Sequence, residues 1–303
     1  MKNIFLLLLL TFVTHSFAQT TTDTIQSIAE AEMKSASQTI NFSANPNTQN
    51  YDVTYHKLEF TVNPAFYFIN GKVTTTFKAL APMSSVIFDL TNNLTVSSVM
   101  QNNTALVFLQ TSEELQIMLP NALTTGTTAT VEITYSGAPS TGEAAFTTST
   151  HSGTPVLWTL SEPYGARDWW PCKQDLNDKI ESIDVYITAP SQYVSVSNGV
   201  EISQTINANT TKTTHFSHGF PIPAYLIAIA VTNYQIFTQN AGTAPNAFPI
   251  VNYLYPENFT SAQTSLAVTL PIMNLFETLF DAMPLDDAVC HVFPLPVLGA
   301  QLL

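Results

Sequence analysis

The chain has 303 residues, 9 of them basic and 22 acidic, for a net charge of −13. That balance excludes nucleic acid and anionic membrane as partners, because both require a basic surface. Charged residues make up only 10% of the chain, so solubility rests on Thr, Asn, Gln and Ser, an uncharged polar surface that suits an exported β-protein.

Residues 1–18 read as a secretory signal peptide. Lys2 gives the positive start, Ile4 to Val13 the apolar run, and Ser16-Phe17-Ala18 the small-residue cleavage site before Gln19. The run is too short to span a bilayer and no other stretch is long and apolar enough, so no membrane span is expected. The mature protein is expected in the periplasm, on the cell surface or outside the cell. Residues 19–48 form a polar leader in which Ile25, Ile28, Ala29 and Met33 sit at helical spacing, with linker through 41–50.

From Tyr51 the apolar period becomes two. Val73, Thr75, Phe77 and Ala79 alternate with Lys72, Thr74, Thr76 and Lys78, and Asn70-Gly71 just before them predicts a tight hairpin turn, with Phe66 to Ile69 as the strand upstream. The same alternation marks strands at Val86, Phe88 and Leu90, at Leu115, Ile117 and Leu119, at Ala129 to Tyr135, and at Ile183, Val185 and Ile187. Asn198-Gly199 predicts another turn. Tyr225 to Val231 is a continuous apolar run, as expected of a strand buried on both faces. Together these predict a mostly β protein: a large antiparallel sheet domain over 49–250, saddle-like or sandwich-like, with one face packed and one wet.

After Tyr255-Pro256 the pattern turns helical. Leu266, Leu270, Met273, Phe276 and Phe280 recur at three- and four-residue steps, and Ile272, Leu275 and Leu279 widen the stripe. Thr260 or Ser261 supplies the cap, and Pro271 kinks the helix, which is expected over 260–281. Its apolar face is too broad to stand alone. Residues 251–303 therefore read as the truncated start of a second, α-helical domain.

The chain has no G-x-G-x-x-G, no P-loop, and no G-x-S-x-G elbow. None of its six histidines stands in H-E-x-x-H. His215 and His218 are the one close pair, but in a strand they point to opposite faces. Asp175, Asp178, Glu181 and Asp184 lack the glycine and spacing of a calcium loop and read as a solvated loop followed by a strand. The two cysteines make no disulfide framework; one bond, Cys172–Cys290, is open to the chain in an oxidising compartment.

Chemical specificity is concentrated between Trp158 and Asp175, which holds all three tryptophans. Trp169, Trp170 and Pro171 read first as packing, and Arg167 as the partner of a nearby acid. Glu162 follows the apolar strand Val156-Leu-Trp158 and precedes Pro163. A carboxylate held at a cleft by such a turn binds an ammonium group through charge-assisted hydrogen bonds, about 1.5–3 kcal/mol when sheltered.

Glu162-Pro-Tyr-Gly-Ala166-Arg167, then Trp170-Pro171-Cys172 and Asp175, resembles the signature of the N-terminal β-domain of the aminopeptidase N-type zinc metallopeptidases, the gluzincin aminopeptidases. That pattern runs roughly Q-x-E/Q-x-x-x-A-R-x-x-F-P-C-x-D-E-P-x-x-K. Ala166, Arg167, Pro171, Cys172 and Lys179 match, Trp170 stands for the aromatic, and Asp175 falls at the glutamate. Ser197-Asn198-Gly199 resembles the family's S-N turn, Thr214 to Val231 its M-S-x-Y-L-x-A strand, and 260–281 the first helix of the catalytic domain. Leu160, Gln174 and Leu176 depart from the pattern.

The resemblance implies removal of N-terminal residues from peptides, with a zinc ion polarising water and the scissile carbonyl and a glutamate as general base. It implies that Glu162 holds the free α-amine or shapes the first side-chain pocket, with Tyr164 as a neighbour. Ala166, Arg167, Trp170, Pro171, Cys172, Asp175 and Lys179 are then a structural signature. The M-E-N-type strand, the H-E-x-x-H helix and the third ligand glutamate do not occur, and Phe293 to Leu303 stands about where that strand should begin. The expectation is the N-terminal portion of an exported zinc aminopeptidase. Its partners are a peptide with a free N-terminus and a C-terminal catalytic region, and alone it binds no zinc and is inert. The rival is a non-catalytic module that binds peptides or a surface; a third reading is a partial gene product whose bare helix makes it aggregate.

Overall fold

Alternating apolar and polar residues fold into long two-faced strands, since successive side chains of a strand point to opposite sides. The computed structural model describes residues 44–242, 247–280, 290–294 and 300–302. The expected signal peptide and the helical spacing at 25–33 lie outside them. In chain order the strands are β1 (Tyr51–Val62), β2 (Ile69–Ala79), β3 (Met83–Asp89), β4 (Leu94–Gln101), β5 (Thr104–Ala105), β6 (Phe108–Thr111) and β7 (Glu114–Leu123). Next come β8 (Thr128–Gly137), β9 (Phe146–His151), β10 (Thr154–Thr159), β11 (Lys179–Ile180), β12 (Ser182–Pro190), β13 (Val194–Ser197) and β14 (Val200–Ile206). The last are β15 (Thr211–His218), β16 (Ile222–Pro223), β17 (Ile229–Thr232), β18 (Gln235–Ala241), β19 (Phe248–Leu254), β20 (Cys290–Pro294) and β21 (Ala300–Leu302). Between β19 and β20 lie the helices α1 (Phe259–Leu266) and α2 (Thr269–Phe280).

The fold is mostly β, and its main sheet has eight strands in the order β14-β15-β12-β1-β2-β8-β4-β5. All neighbours are antiparallel except β1 and β12, which run parallel. Every alternation read from the sequence lands on its inner side or on the sheet beneath: Val73, Phe77, Val131, Ile133, Ile183, Val185 and Ile187 are fully buried. Each large side chain so buried contributes about 1.5–3 kcal/mol. The outer side is polar. Lys72 bridges Glu59 at 2.9 Å and Glu132 at 3.5 Å across three strands.

Two small sheets cover the inner face, β3-β7-β6 and β13-β17-β10-β9. They share one core with it, in which Phe88 and Ile117 from the first, and Leu157 and Val231 from the second, join Phe60, Phe77 and Phe216. The sheet holding β10 is a middle layer. Its far side, with Val156, Trp158, Val196 and Ala230, packs against Tyr234, Tyr253 and Tyr255. Beyond lies the sheet β18-β19-β20-β21, on which Leu266, Leu270 and Met273 of the helices rest against Ala241, Phe248 and Ile250.

The structure corrects the sequence reading at several places. Asn70-Gly71 is not a turn but part of β2, and the β1–β2 hairpin turns at Asn63 to Phe66, where Phe66 N donates to Asn63 O at 2.9 Å. Glycine is required at 71 for space: a Cβ there would lie 2.3 Å from Cε1 of Tyr135. The run from Tyr225 is not one strand. Ala224–Leu226 is a 3-10 turn, because the Asn198 side chain takes up Ala228 N and Leu226 O in place of a ladder. The expected helix is two. Pro271 is the third residue of α2, within its first turn, where a missing N–H is harmless, and the break falls before it at Ala267 and Val268. The chain's own sheet also covers the first half of the apolar stripe, leaving Phe276 at 49% and Phe280 at 76% exposure. Among the acids of the expected solvated loop only Glu181 is exposed: Asp175 is 8% exposed, and the Asp178 side chain, 6% exposed, is ion-paired with Lys173. Finally, the end of the leader is no linker. Asn45 caps the 3-10 turn Pro46–Thr48 and binds Asp89 and Glu114, each at 2.8 Å.

Candidate functional site

The tryptophan stretch leaves β10 and crosses under the main sheet. Leu160 N donates to Ala145 O at 2.9 Å, and Gly165 N closes a turn onto Ser161 O at 2.8 Å. Glu162 stands at the crest of this turn, exposed, before a cis bond to Pro163. The turn is fixed from below. Trp169 Nε1 donates to Ser161 Oγ at 2.8 Å inside the core, and Gly165 passes so close to Ala145 that a Cβ would meet its methyl at 2.4 Å. Glu162 is thus an exposed carboxylate on a turn anchored from below. Tyr164, beside it in sequence, is buried and does not share its exposure.

Most of the other signature residues form a buried knot. Trp169 and Trp170 are both fully buried; Trp169 packs on Phe60 with ring centres 5.1 Å apart, and Trp170 meets the His56 ring edge-on at 5.2 Å. Tyr135 Oη donates to Trp169 O at 2.9 Å, tying the stretch to β8. Cys172 is a free, buried thiol whose backbone pairs with Asp89 through bonds of 2.8 and 3.1 Å. Burial, with Asp89 nearby, pushes that thiol well up, so it is a packing group and not a nucleophile.

Asp89 is the hub that the sequence did not reveal. Its carboxylate accepts from Asn45 Nδ2 at 2.8 Å and from Gln174 N at 2.9 Å. Burial raises its pKa, against those hydrogen bonds and the positive field of Arg167. Arg167 itself makes no ion pair among the described residues; its backbone N donates to Gln174 Oε1 at 3.2 Å, and its carbonyl accepts from Thr91 N at 3.0 Å. Gln174, a departure from the family pattern, therefore clamps the loop in its own way. For Asp175, burial works upward, yet bonds from Asn177 N and Gln49 Nε2 and the Lys173 charge hold its carboxyl below the usual range. Lys173 is buried between Tyr51 O, at 2.7 Å, and Asp178. Lys179 is exposed and pairs through its backbone with Pro223. Of the residues singled out in the sequence, the fold gathers Ala166, Arg167, Trp170, Pro171, Cys172 and Asp175 below the sheet and leaves Glu162 alone at the rim.

Three histidines have partners of their own. His215 Nε2 meets Asp184 Oδ1 at 2.6 Å on the outer sheet face, while His218 packs against Phe220. His151 lies at the far side of the middle sheet. Among the described residues no three His, Cys, Asp or Glu side chains converge to hold a metal ion. The described residues thus do not fit a zinc ion. No helix among them is long and apolar enough to cross a membrane. A shallow groove of about 450 Å³ opens on the outer sheet face between Glu59, Thr61, Lys72, Thr134 and Tyr186.

Comparison with known proteins agrees with this layout. In fold, the chain is similar to the M1 zinc metallopeptidase of Deinococcus radiodurans, at 24% identity and a TM-score of 0.69 over 82% of this chain and 57% of that one. A mutant of that enzyme bound to a Tyr-Ser-Ala substrate matches with the same identity and score, over 83% of this chain and 58% of that one. The chain thus spans a little under three fifths of the length of these solved structures. No curated protein matches it. Residues 47–226, the whole span from the capped turn at Asn45 to the turn before β17, match the Peptidase M1 N-terminal domain, and the chain belongs to that family of metallopeptidases.

Proposed function

We propose that this chain is the substrate-binding N-terminal portion of an exported M1 aminopeptidase, and that Glu162 receives the free α-amine of a peptide. The observation that carries this reading is the isolation of Glu162. It is the one acidic member of the signature that is exposed, on a turn anchored by the buried Trp169–Ser161 bond. A fixed base and a free carboxylate suit capture of an ammonium group, because little ordering entropy is lost on binding. Tyr164, buried against the same turn, supports its shape and does not touch the ligand. In this reading 49–250 is the β-domain and 251–303 begins the catalytic region. Zinc and the general base belong to a catalytic region that the described residues do not supply, and the chain by itself hydrolyses nothing. Membership of the family and the likeness to a metallopeptidase solved with a tripeptide support the substrate class.

The test is titration calorimetry of the purified chain with a tripeptide and with its N-acetylated form. Binding of the free peptide alone, weakened about tenfold or more in Glu162→Ala, is the expected result, tenfold being the loss of about 1.4 kcal/mol. Equal binding of both peptides, unchanged in the variant, returns the β-domain to the reading of a surface-binding module. Chelator-sensitive release of an N-terminal residue by the chain alone would overturn the claim that it is inert.

A further inference from the structure

The main sheet ends differently at its two sides. At one side lies β5, a strand of two residues, too short to serve another chain as a template. At the other lies β14, seven residues long, which among the described residues pairs with β15 alone. Proteins blunt such an edge with proline, lysine or a bulge. Here only a bulge is present, between Glu201 and Ser203; Val-Glu-Ile-Ser-Gln-Thr-Ile holds no proline and no lysine. Ile202 to Ile206 are exposed in an unbroken row, Ile202 at 55% and Ile206 at 70%.

The ladder fixes which backbone groups face outward. Asn207 N donates to Thr211 O at 2.9 Å where the hairpin closes, so these two residues form a bonded pair. In an antiparallel ladder bonded and unbonded pairs alternate. Thr205–Thr213 and Ser203–His215 are then bonded pairs, and Gln204 and Ile206 aim their N–H and C=O groups at the open edge. Side chains alternate as well. Glu201 stands opposite Phe216, and Ile206 opposite Lys212. Phe216 and Lys212 lie an even number of residues apart on β15, hence on one face, and it is the inner face because Phe216 is fully buried. Glu201 and Lys212 therefore share a face and sit at opposite ends of the hairpin. Gln204 Nε2 donates to Glu201 Oε1 at 2.8 Å on that same face.

We infer that β14 is a self-association edge: two copies of the chain join their β14 strands antiparallel about a two-fold axis at Gln204, and the main sheet runs on through both. The charges select a second copy as the occupant. At a net −13, two copies repel over most of their surface. A two-fold at β14 sets the start of one strand beside the end of the other. Glu201 of each copy then comes to the hairpin end that carries Lys212 of the other, so opposite charges meet and like charges stay apart. The same register puts Ile202 of one copy opposite Ile206 of the other, and the free backbone groups of Gln204 and Ile206 gain partners. A two-fold contact closes on itself, and with β5 too short to pair it yields a dimer and not a filament. One pair of short strands buries little, so the dimer belongs with the weak interfaces below about 1,200 Å², with a Kd of about 10–100 µM.

The test is sedimentation equilibrium of the purified chain from about 1 to about 300 µM, which brackets that Kd. A monomer–dimer equilibrium is expected, weakened about tenfold or more in Ile206→Lys, since each copy loses an isoleucine pair and gains a lysine at the edge. Glu201→Lys is expected to weaken it by setting two lysines together, and Glu201→Lys combined with Lys212→Glu to restore it. Ile206 is exposed, so its variant keeps the fold, and the paired charge reversal separates a lost contact from a lost fold. The rival contact is the bare end of α2, where Phe280 is 76% exposed; Phe280→Glu is expected to leave the equilibrium unchanged. A chain still monomeric at about 300 µM overturns the inference. So does association that survives Ile206→Lys, that is lost in Phe280→Glu, or that the double charge reversal fails to restore.

Discussion

Gly71 shows how one residue answers to its neighbours and not to its local motif. Asn-Gly suggests a turn in any isolated peptide, but here the Tyr135 ring lies across β2 opposite Gly71, and the tyrosine then reaches Trp169 O. Gly71→Ala is expected to destabilise the protein by about 1–3 kcal/mol, the usual cost of overpacking, read as a lower midpoint in urea with an unchanged slope. An unaltered midpoint would mean that the ring swings aside freely. The sequence context singles out Glu162, an acid between an apolar strand and a proline, and the fold leaves it exposed. Asp89 was not, because nothing near it in sequence marks it; its partners Asn45 and Gln174 lie 44 and 85 residues away.

Among the elements, strands were easier to read than turns and helix ends. The period of two survived folding because one sheet face is packed and one is wet, so alternation and burial coincide. The middle sheet lost that signal: the residues of β17 are all buried, and a strand covered on both sides reads as a plain apolar run whose ends are set by side chains such as Asn198. The helices make the same point through Pro271. If it kinked one long helix, replacing it would stabilise by about 3 kcal/mol. In the first turn of α2 it costs little, and Pro271→Ala is expected to change stability by less than about 0.5 kcal/mol in denaturant unfolding. A gain of several kcal/mol would restore the single kinked helix.

For the whole molecule, the layers bury one ionisable ring that bears on stability everywhere. His56 is fully enclosed, with Nδ1 bonded to Thr75 at 2.9 Å, and burial pushes its pKa from 6.5 down to about 3. A base whose pKa is depressed by folding contributes stability that is present above its unfolded value and lost as pH falls through the folded one. Asp168 acts in the opposite sense: burial raises it from 3.8 to about 6, so its contribution is present at low pH and lost as pH rises. The two overlap, and the His56 share is seen only by difference. The stability gap between native chain and His56→Gln is expected to shift by about 2–3 kcal/mol in disfavour of the native chain from about pH 7 to about pH 4, measured by urea unfolding at both. A constant gap would mean that the ring is hydrated in the folded state.

The sequence by itself determined the β class, the alternating strands β2, β3, β7, β8 and β12 and the packing role of the tryptophans, because each rests on short-range periodicity or on residue chemistry. Tertiary structure alone decided the buried Asp89 knot, the glycine at 71 and the division of the last helix. The Asp89 knot depends on side chains that meet across 44 and 85 residues of chain. Local pattern carries no record of such meetings, since it is the closing of the sheets on one another that brings the partners within hydrogen-bond reach.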